Sequence, residues 1–300
     1  MSLPTPTLEI AVDRERHRAM DFLSLTKPRV VLMILITTLV GYYLASQSTI
    51  DVLVLLSTLM GVGLAAGGTM ALNQFMERDV DARMERTRLR PLPDGRLKPV
   101  EAFLFGVAIT VVGLGVLLAG VSLLSALVTG ATVALYLFAY TPLKLRSSLC
   151  MVVGAIPGAL PPVTGWVAAR GEFGIGAWVL FAILFLWQLP HTLAIARLYR
   201  EDYARAGIQV LPVVDPDGMS TERQIVAGCL ALLAVGLLPT LIGLTGPIYF
   251  FGALGLGIAL LVCGIFQAFS RSLPAARRLL FASLLYLPMV LMLMALDKAG

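Results

Sequence analysis

The chain has 300 residues, of which 58% are hydrophobic and only 14% are charged, and its mean hydropathy is +0.87. A soluble domain is typically about half apolar and about a quarter charged, so this composition excludes an ordinary soluble protein and indicates a membrane protein. The net charge of +5 does not point to nucleic acid, because membrane orientation and an anionic ligand account for the basic residues.

Apolar runs of about 20 residues cross a bilayer as helices, since the backbone amides of such a run must be satisfied internally. The third and fourth runs are nearly continuous, and the sequence around Gly120, Ser122 and Ser125 predicts a tight hairpin between them. We therefore predict an all-α protein with an N-terminal segment (1–29) and one transmembrane domain (30–300). Its nine helices have the approximate limits 30–48, 52–76, 102–121, 123–142, 149–168, 176–196, 225–244, 248–269 and 279–296.

Positive charge alternates between the two sides of these runs. Basic residues cluster before the first run and in every second loop, whereas the opposite loops hold only Arg170 and Lys298. Because cytoplasmic segments retain Lys and Arg, the pattern predicts a cytoplasmic N-terminus and an outside C-terminus in a bacterial-type inner membrane. The charged N-terminal segment lacks a cleavable apolar region, which argues against a signal peptide.

The second run ends in a cluster of oxygen-bearing side chains. Asn73, Glu77 and Asp81 follow one another at intervals of four residues, which places them on one face of a helix. Hard divalent cations such as Mg²⁺ take oxygen ligands and commonly bridge carboxylates to substrate phosphates. Alternatively, the segment is a solvated helix whose charges pair locally and set the topology. Arginines suited to phosphate oxygens surround the cluster, among them Arg78, Arg86 and Arg90.

A second acidic cluster follows the sixth run. It contains Glu201 and Asp202, between Tyr199 and Tyr203. By the charge argument both clusters lie on the cytoplasmic side, where two acidic helix ends can face one pocket. The presence of both favours a metal–diphosphate site over a merely charged surface.

An ordered set of motifs extends along nearly the whole chain. The motifs occupy residues 25–29, 73–87, 90–91, 140–144, 154–162, 187–191, 202–203 and 211–214. Together they resemble the UbiA superfamily of intramembrane prenyltransferases, and within it the branch that farnesylates heme. The resemblance implies a bundle of nine transmembrane helices around a central cavity, which agrees with the independent helix count.

The resemblance also implies roles for individual residues. Asn73, Glu77 and Asp81 match a metal-binding motif of the form NxxxDxxxD, with Glu77 as a conservative departure. The second family motif is DxxxD, but here tyrosines hold those spacings, so it stays open whether Glu201 or Asp202 binds metal. The implied catalytic residues are Asn73, Glu77, Asp81, Lys144 and Asp202. The implied substrate contacts are Arg78, Arg86, Arg90, Tyr140, Gln188, His191, Glu201 and Tyr203.

Two of these residues have a second interpretation. Lys144 either contacts diphosphate, as in the family's YxxxK motif, or simply extends from a helix end to the membrane surface. His191 either binds heme or hydrogen-bonds to a backbone carbonyl freed by Pro190.

The other histidine and the cysteines are not assigned to the site. His17, in the charged N-terminal segment, is interpreted as a solvated side chain, and Cys150, Cys229 and Cys263 are interpreted as structural.

The reaction implied by the resemblance is Mg²⁺-dependent transfer of the farnesyl group of farnesyl diphosphate to a vinyl group of heme B, with addition of water. Expected partners are these substrates, membrane lipid and a heme A-forming enzyme. A UbiA-type enzyme that prenylates a quinone precursor or other aromatic acceptor would share the metal site and remains an alternative. A secondary transporter is disfavoured, because its polar groups would lie at the membrane midplane and not at one face.

Overall fold

The computed structural model describes residues 18–47 and 49–299 of the chain, so His17 lies outside the described residues. Within this part, nine helices are long and apolar enough to cross a membrane, and no β-strand is formed. The predicted helical bundle is therefore confirmed. The helices are α1 (Pro28–Ala45), α2 (Val52–Asp81), α3 (Pro99–Gly120), α4 (Leu123–Leu143), α5 (Cys150–Arg170), α6 (Ile175–Leu198), α7 (Met219–Leu241), α8 (Pro247–Ser270) and α9 (Leu273–Leu296).

Several helices continue beyond the apolar runs that predicted them. The run that predicted α2 stops at residue 76, yet the helix continues to Asp81, and α9 begins at Leu273 where the run began at 279. Polar residues at these ends form helix as readily as apolar ones, because backbone hydrogen bonding does not depend on burial of the side chain. The predicted hairpin after Gly120 is present, and Ser122 caps α4 by accepting a hydrogen bond from Ser125 N at 3.1 Å.

Two of the helices, α4 and α5, have irregular regions. In α4 the backbone widens into π-helical turns over Leu135–Tyr140. In α5 the segments Cys150–Ala159 and Pro161–Arg170 meet at Leu160, because proline lacks the N–H needed to continue a regular helix. Both irregular regions change the direction in which the following side chains point.

Close contact between α1 and α5 depends on residues without side chains. A Cβ atom added to Gly165 would overlap Thr38 O and lie 2.8 Å from Tyr42 N of α1. In return, a Cβ on Gly41 would overlap Pro162 O of α5. Small residues at both positions let the two backbones approach closely, as is common in membrane helix packing.

Lys298 and Arg170 stabilise the C-terminal end of α1, which lies at the end of the bundle opposite to the two acidic clusters. Lys298 Nζ donates to Tyr43 O at 2.7 Å and also to Ser46 O. Arg170 Nε donates to Ala45 O at 2.6 Å. Cations on the last carbonyls of a helix satisfy unpaired acceptors and match the helix dipole, so these contacts stabilise this end of the bundle.

We predict that Gly165→Ala destabilises the protein, because the new methyl group has to displace the backbone of α1. Overpacking of this kind costs about 1–3 kcal/mol, which should lower the thermal unfolding midpoint of the detergent-solubilised protein. Gly115→Ala is the matched control, since a Cβ there meets nothing within 4 Å and alanine favours helix. Equal unfolding midpoints for Gly165→Ala and the unaltered protein would contradict the packing argument.

Candidate active site

The last three turns of α2 carry the first oxygen-bearing cluster into the bundle. Asn73 is fully buried, Asp81 is 1% exposed, and Glu77 is mostly buried. The helix remains regular through Asp81, so the three side chains share one inward face. Carboxylates buried in this way require partners, because an unpaired buried charge costs several kcal/mol.

Each of the three side chains is paired with a cation from a different segment. Lys144, just after α4, places Nζ 2.7 Å from Glu77 Oε1. Arg90 in the α2–α3 loop donates from Nη1 to Asp81 Oδ2 at 2.6 Å. The interpretation of Lys144 as a residue that extends to the membrane surface is therefore wrong, as is purely local pairing of the two carboxylates.

Lys27 completes this ring of cations, and it was not among the site residues named from the sequence. Its Nζ donates to Asn73 Oδ1 at 3.3 Å. Its backbone is left-handed, with φ 49°, immediately before Pro28, where both the side chain and the following proline disfavour such a conformation. Burial, together with the nearby charges of Arg90 and Lys144, lowers the pKa of Lys27 to about 7. The available sequence signal was its place in the motif at residues 25–29, for which no role was assigned.

The widened end of α4 positions a second missed residue, Thr141. Asn73 Nδ2 donates to Thr141 Oγ1 at 3.1 Å, and Thr141 Oγ1 donates to Tyr136 O at 2.8 Å. This chain fixes the amide of Asn73 so that its oxygen faces Lys27. Lys144 Nζ lies 4.4 Å from the centre of the Tyr140 ring, a cation–π contact.

Charge around Lys144 keeps it protonated. Burial acts to lower the pKa of Lys144, but the neighbouring Tyr140 and the Glu77 carboxylate outweigh burial and raise the pKa above its usual range. The ammonium group is therefore a permanent cation at this end of the bundle. Gly154 of α5 provides the room for Tyr140, since a Cβ at Gly154 would lie 2.6 Å from the Tyr140 ring.

The second acidic cluster occupies the short helix Arg200–Arg205 after α6, and its two acids differ in environment. Glu201 is exposed, whereas Asp202 is buried and pairs with Arg205. Burial acts to raise the pKa of Asp202, but hydrogen bonds from the Arg205 side chain and from the backbone amides of Arg86 and Glu85 outweigh it and hold the pKa below its usual range. Asp202 is therefore ionised, and it connects the segment after α6 to the α2–α3 loop.

A backbone hydrogen bond brings that segment to the first cluster. Gln209 N donates to Lys144 O at 2.7 Å, next to the Lys144–Glu77 pair. Tyr203 packs in a small hydrophobic cluster with Met84 and Cys150 beneath this junction. The structure therefore places both predicted acidic clusters at one end of the bundle, with Asp202 and not Glu201 in the interior.

The three arginines predicted to bind substrate have different surroundings. Only Arg90 contacts the buried carboxylates. Arg78 lies over the Phe75 ring and pairs with Asp79 at 3.6 Å, and Arg86 lies over the Tyr199 ring at 5.2 Å. Arg78 and Arg86 therefore border the site without contacting its carboxylates.

A cavity of about 330 Å³ adjoins this ring of cations. Three cationic side chains and one carboxylate give its wall a positive balance, which suits an anion. The lining residues are Asp21, Ser24, Lys27, Gln74, Leu89, Arg90, Pro91 and Arg96.

The oxygen-bearing face of α2 fits a hard divalent cation by its chemistry, since Asn73, Glu77 and Asp81 offer only oxygen donors. In the part of the chain that the structure describes, however, no three His, Cys, Asp or Glu side chains converge in a group that can hold a metal. The charge of the two α2 carboxylates is balanced by Lys144 and Arg90 instead.

A second polar group lies deeper in the bundle, on α6. Gln188 Nε2 donates to Ala155 O of α5 at 3.2 Å, and Gly158 leaves the space that the Gln188 amide fills. His191 Nδ1 lies 2.8 Å from Ser283 Oγ of α9, so its assignment to a carbonyl freed by Pro190 is wrong. His191 stands seven residues before the end of α6, about 10 Å from that end at the helical rise per residue.

Comparison with known proteins agrees with this architecture. Residues 34–286 match the UbiA prenyltransferase family. A protoheme IX farnesyltransferase of Solibacter usitatus is 51% identical over 289 residues, which cover 93% of this chain and 99% of that relative. A protoheme IX farnesyltransferase of Koribacter versatilis is 42% identical, with 93% of each chain covered.

Solved structures show the same fold at low sequence identity. A structure described in work on digeranylgeranylglyceryl phosphate synthase has a TM-score of 0.80 at 16% identity and covers 94% of this chain and 98% of its own. A UbiA homolog from Archaeoglobus fulgidus bound to GPP and Mg²⁺ has a TM-score of 0.65 at 16% identity, covering 91% and 99%. This integral membrane chain belongs to the UbiA prenyltransferase family.

Proposed function

We propose that the protein transfers the farnesyl group of farnesyl diphosphate to a vinyl group of protoheme IX, with addition of water and release of diphosphate. The observation that carries the proposal is the buried face of Asn73, Glu77 and Asp81, surrounded by cations, with the imidazole of His191 deeper in the same bundle. Protoheme IX farnesyltransferases that are 42–51% identical over 93% of this chain support the choice of acceptor.

The cations at the end of the bundle that holds Asn73, Glu77 and Asp81 bind the diphosphate. Lys27, Lys144 and Arg90 donate N–H groups to the diphosphate oxygens, which frees the oxygen-bearing side chains that they contact in this structure. Asn73, Glu77 and Asp81 would hold Mg²⁺, with Asp202 at the adjoining segment, and the metal supplies positive charge beside the leaving group. Such a preorganised set of cations stabilises the charge that develops as the bond from C1 to oxygen breaks.

The acceptor step needs no covalent nucleophile from the protein. Farnesyl C1, as an allylic cation, forms a bond to the heme vinyl group, and water adds to the resulting cation with loss of a proton. The farnesyl chain remains in apolar surroundings while its diphosphate stays at the polar end. His191 and Gln188 are the polar groups deep enough in the bundle to orient the porphyrin.

The setting of the reaction follows from the positions of the basic residues. We place the mouth of the site on the cytoplasmic side of a bacterial-type inner membrane, with the N-terminus on that side and the C-terminus outside. A heme A-forming enzyme would accept the product.

We predict that purified protein incubated with heme B, farnesyl diphosphate and Mg²⁺ adds the mass of farnesyl plus water to heme, as read by mass spectrometry. Asp81→Asn should lower the rate about 100-fold or more, since it removes a buried charge at the leaving-group site. Asp79→Asn is the matched control on the same helix, because the Asp79 side chain is 78% exposed and should react like the unaltered protein. Unmodified heme together with prenylation of an aromatic acceptor would instead support the quinone-type alternative.

We also predict that the two ends of the site can be disabled separately. Lys144→Met should weaken binding of farnesyl diphosphate about 10-fold or more while heme binding is retained, because Lys144 lies at the charged mouth. His191→Ala should weaken heme binding while binding of farnesyl diphosphate is retained. Calorimetric titration of each substrate into each variant provides the measurement. Loss of both affinities in either variant, with an unchanged unfolding midpoint, would contradict two separate regions.

A further inference from the structure

Ser283 of α9 contacts two residues of α6 at once. Its Oγ lies 2.8 Å from His191 Nδ1, and its backbone oxygen accepts a hydrogen bond from Trp187 Nε1 at 2.8 Å. Ser283 itself is fully buried. The position of this one serine therefore determines how the tryptophan and the histidine of α6 are held.

The hydroxyl proton of Ser283 is used within its own helix. Oγ donates to Leu280 O at 2.7 Å. A serine hydroxyl has a single proton and two acceptor lone pairs, so toward His191 the oxygen acts as an acceptor. Nδ1 of His191 then carries the hydrogen, and in the neutral imidazole Nε2 carries the lone pair.

The Nε2 atom of His191 has no partner. Within residues 18–47 and 49–299 no hydrogen bond to Nε2 is formed, and the atom is not completely enclosed by protein. The Trp187 ring stacks on the imidazole with centroids 4.6 Å apart and an angle of 19° between the planes. The ring is thus held in one plane with one nitrogen occupied and the other available.

We propose that Ser283 is a positioning residue that fixes the tautomer of His191, so that Nε2 is presented unprotonated to the iron of the heme substrate. Histidines that bind metals almost always donate their other N–H to a fixed acceptor, which orients the ring and increases its basicity as a ligand. Ser283 has that position relative to His191 Nδ1. The inference deepens the proposed function and rests on heme being the acceptor.

The test combines a tautomer measurement without heme and a binding measurement with heme. The chain has two histidines, so a His17→Ala background leaves His191 as its one imidazole. Nitrogen-15 NMR of the histidine-labelled protein in detergent reports which nitrogen carries the hydrogen, and the Soret spectrum on titration with ferric heme B reports affinity and iron coordination. Ser283→Ala removes the acceptor, and Ser283→Thr retains a hydroxyl there.

We expect the Nδ1–H tautomer in the background protein and a shift toward Nε2–H in Ser283→Ala. Heme binding of Ser283→Ala should weaken about 10-fold or more, with an altered Soret band, and Ser283→Thr should restore both readouts. Thr58→Val is the control, since it removes a buried hydroxyl that bonds only to Val54 O of its own helix, on α2.

An unchanged tautomer and unchanged heme affinity in Ser283→Ala would overturn the positioning role, even if the unaltered protein farnesylates heme. Background protein that binds heme with these tautomer effects but never farnesylates it would keep the positioning role and remove the proposed reaction. Background protein that does not bind heme would overturn both.

Discussion

The rest of the site depends on the pairing of the buried carboxylates of α2 with cations from other segments. Glu77 and Asp81 lie where an unpaired charge costs several kcal/mol. Glu77 is neutralised by Lys144, 67 residues along the chain, and Asp81 by Arg90 in the loop that follows α2. Satisfying them requires the end of α4 and the α2–α3 loop to converge on the end of α2, and Lys27 brings in the start of α1. The need to neutralise the buried carboxylates on one face of α2 thus determines how these segments are arranged at one end of the bundle.

This arrangement concentrates positive charge at the end of the bundle where we propose that diphosphate binds. The two carboxylates hold the side chains of Lys144 and Arg90 in place at this end of the bundle. Preorganised charge is more effective than charge that must rearrange during reaction, because the reorganisation has been completed during folding. The same ion pairs that stabilise this end of the fold therefore also position the cations for the chemistry that we propose.

Backbone geometry determines which side chains fit into the interior of the bundle and how they are oriented there. Gly154 and Gly158 lie one turn apart on α5 and leave space for Tyr140 from one neighbouring helix and Gln188 from another. The widened turn at the end of α4 directs Thr141 toward Asn73. On α9, Ser283 performs the corresponding task for His191. Small residues and irregular turns, as much as charged ones, thus define the site.

The membrane-spanning helices and the shared face of Asn73, Glu77 and Asp81 follow from the sequence alone, because apolar length and helical periodicity are local properties of the chain. The partners of the polar side chains follow from the packing of the helices, since Lys27 and Asn73 are 46 residues apart and His191 and Ser283 are 92 apart. It also decided that Asp202 is buried while its neighbour Glu201 is exposed. Such partners depend on how helices pack against one another, and that packing leaves no periodic signal in the chain.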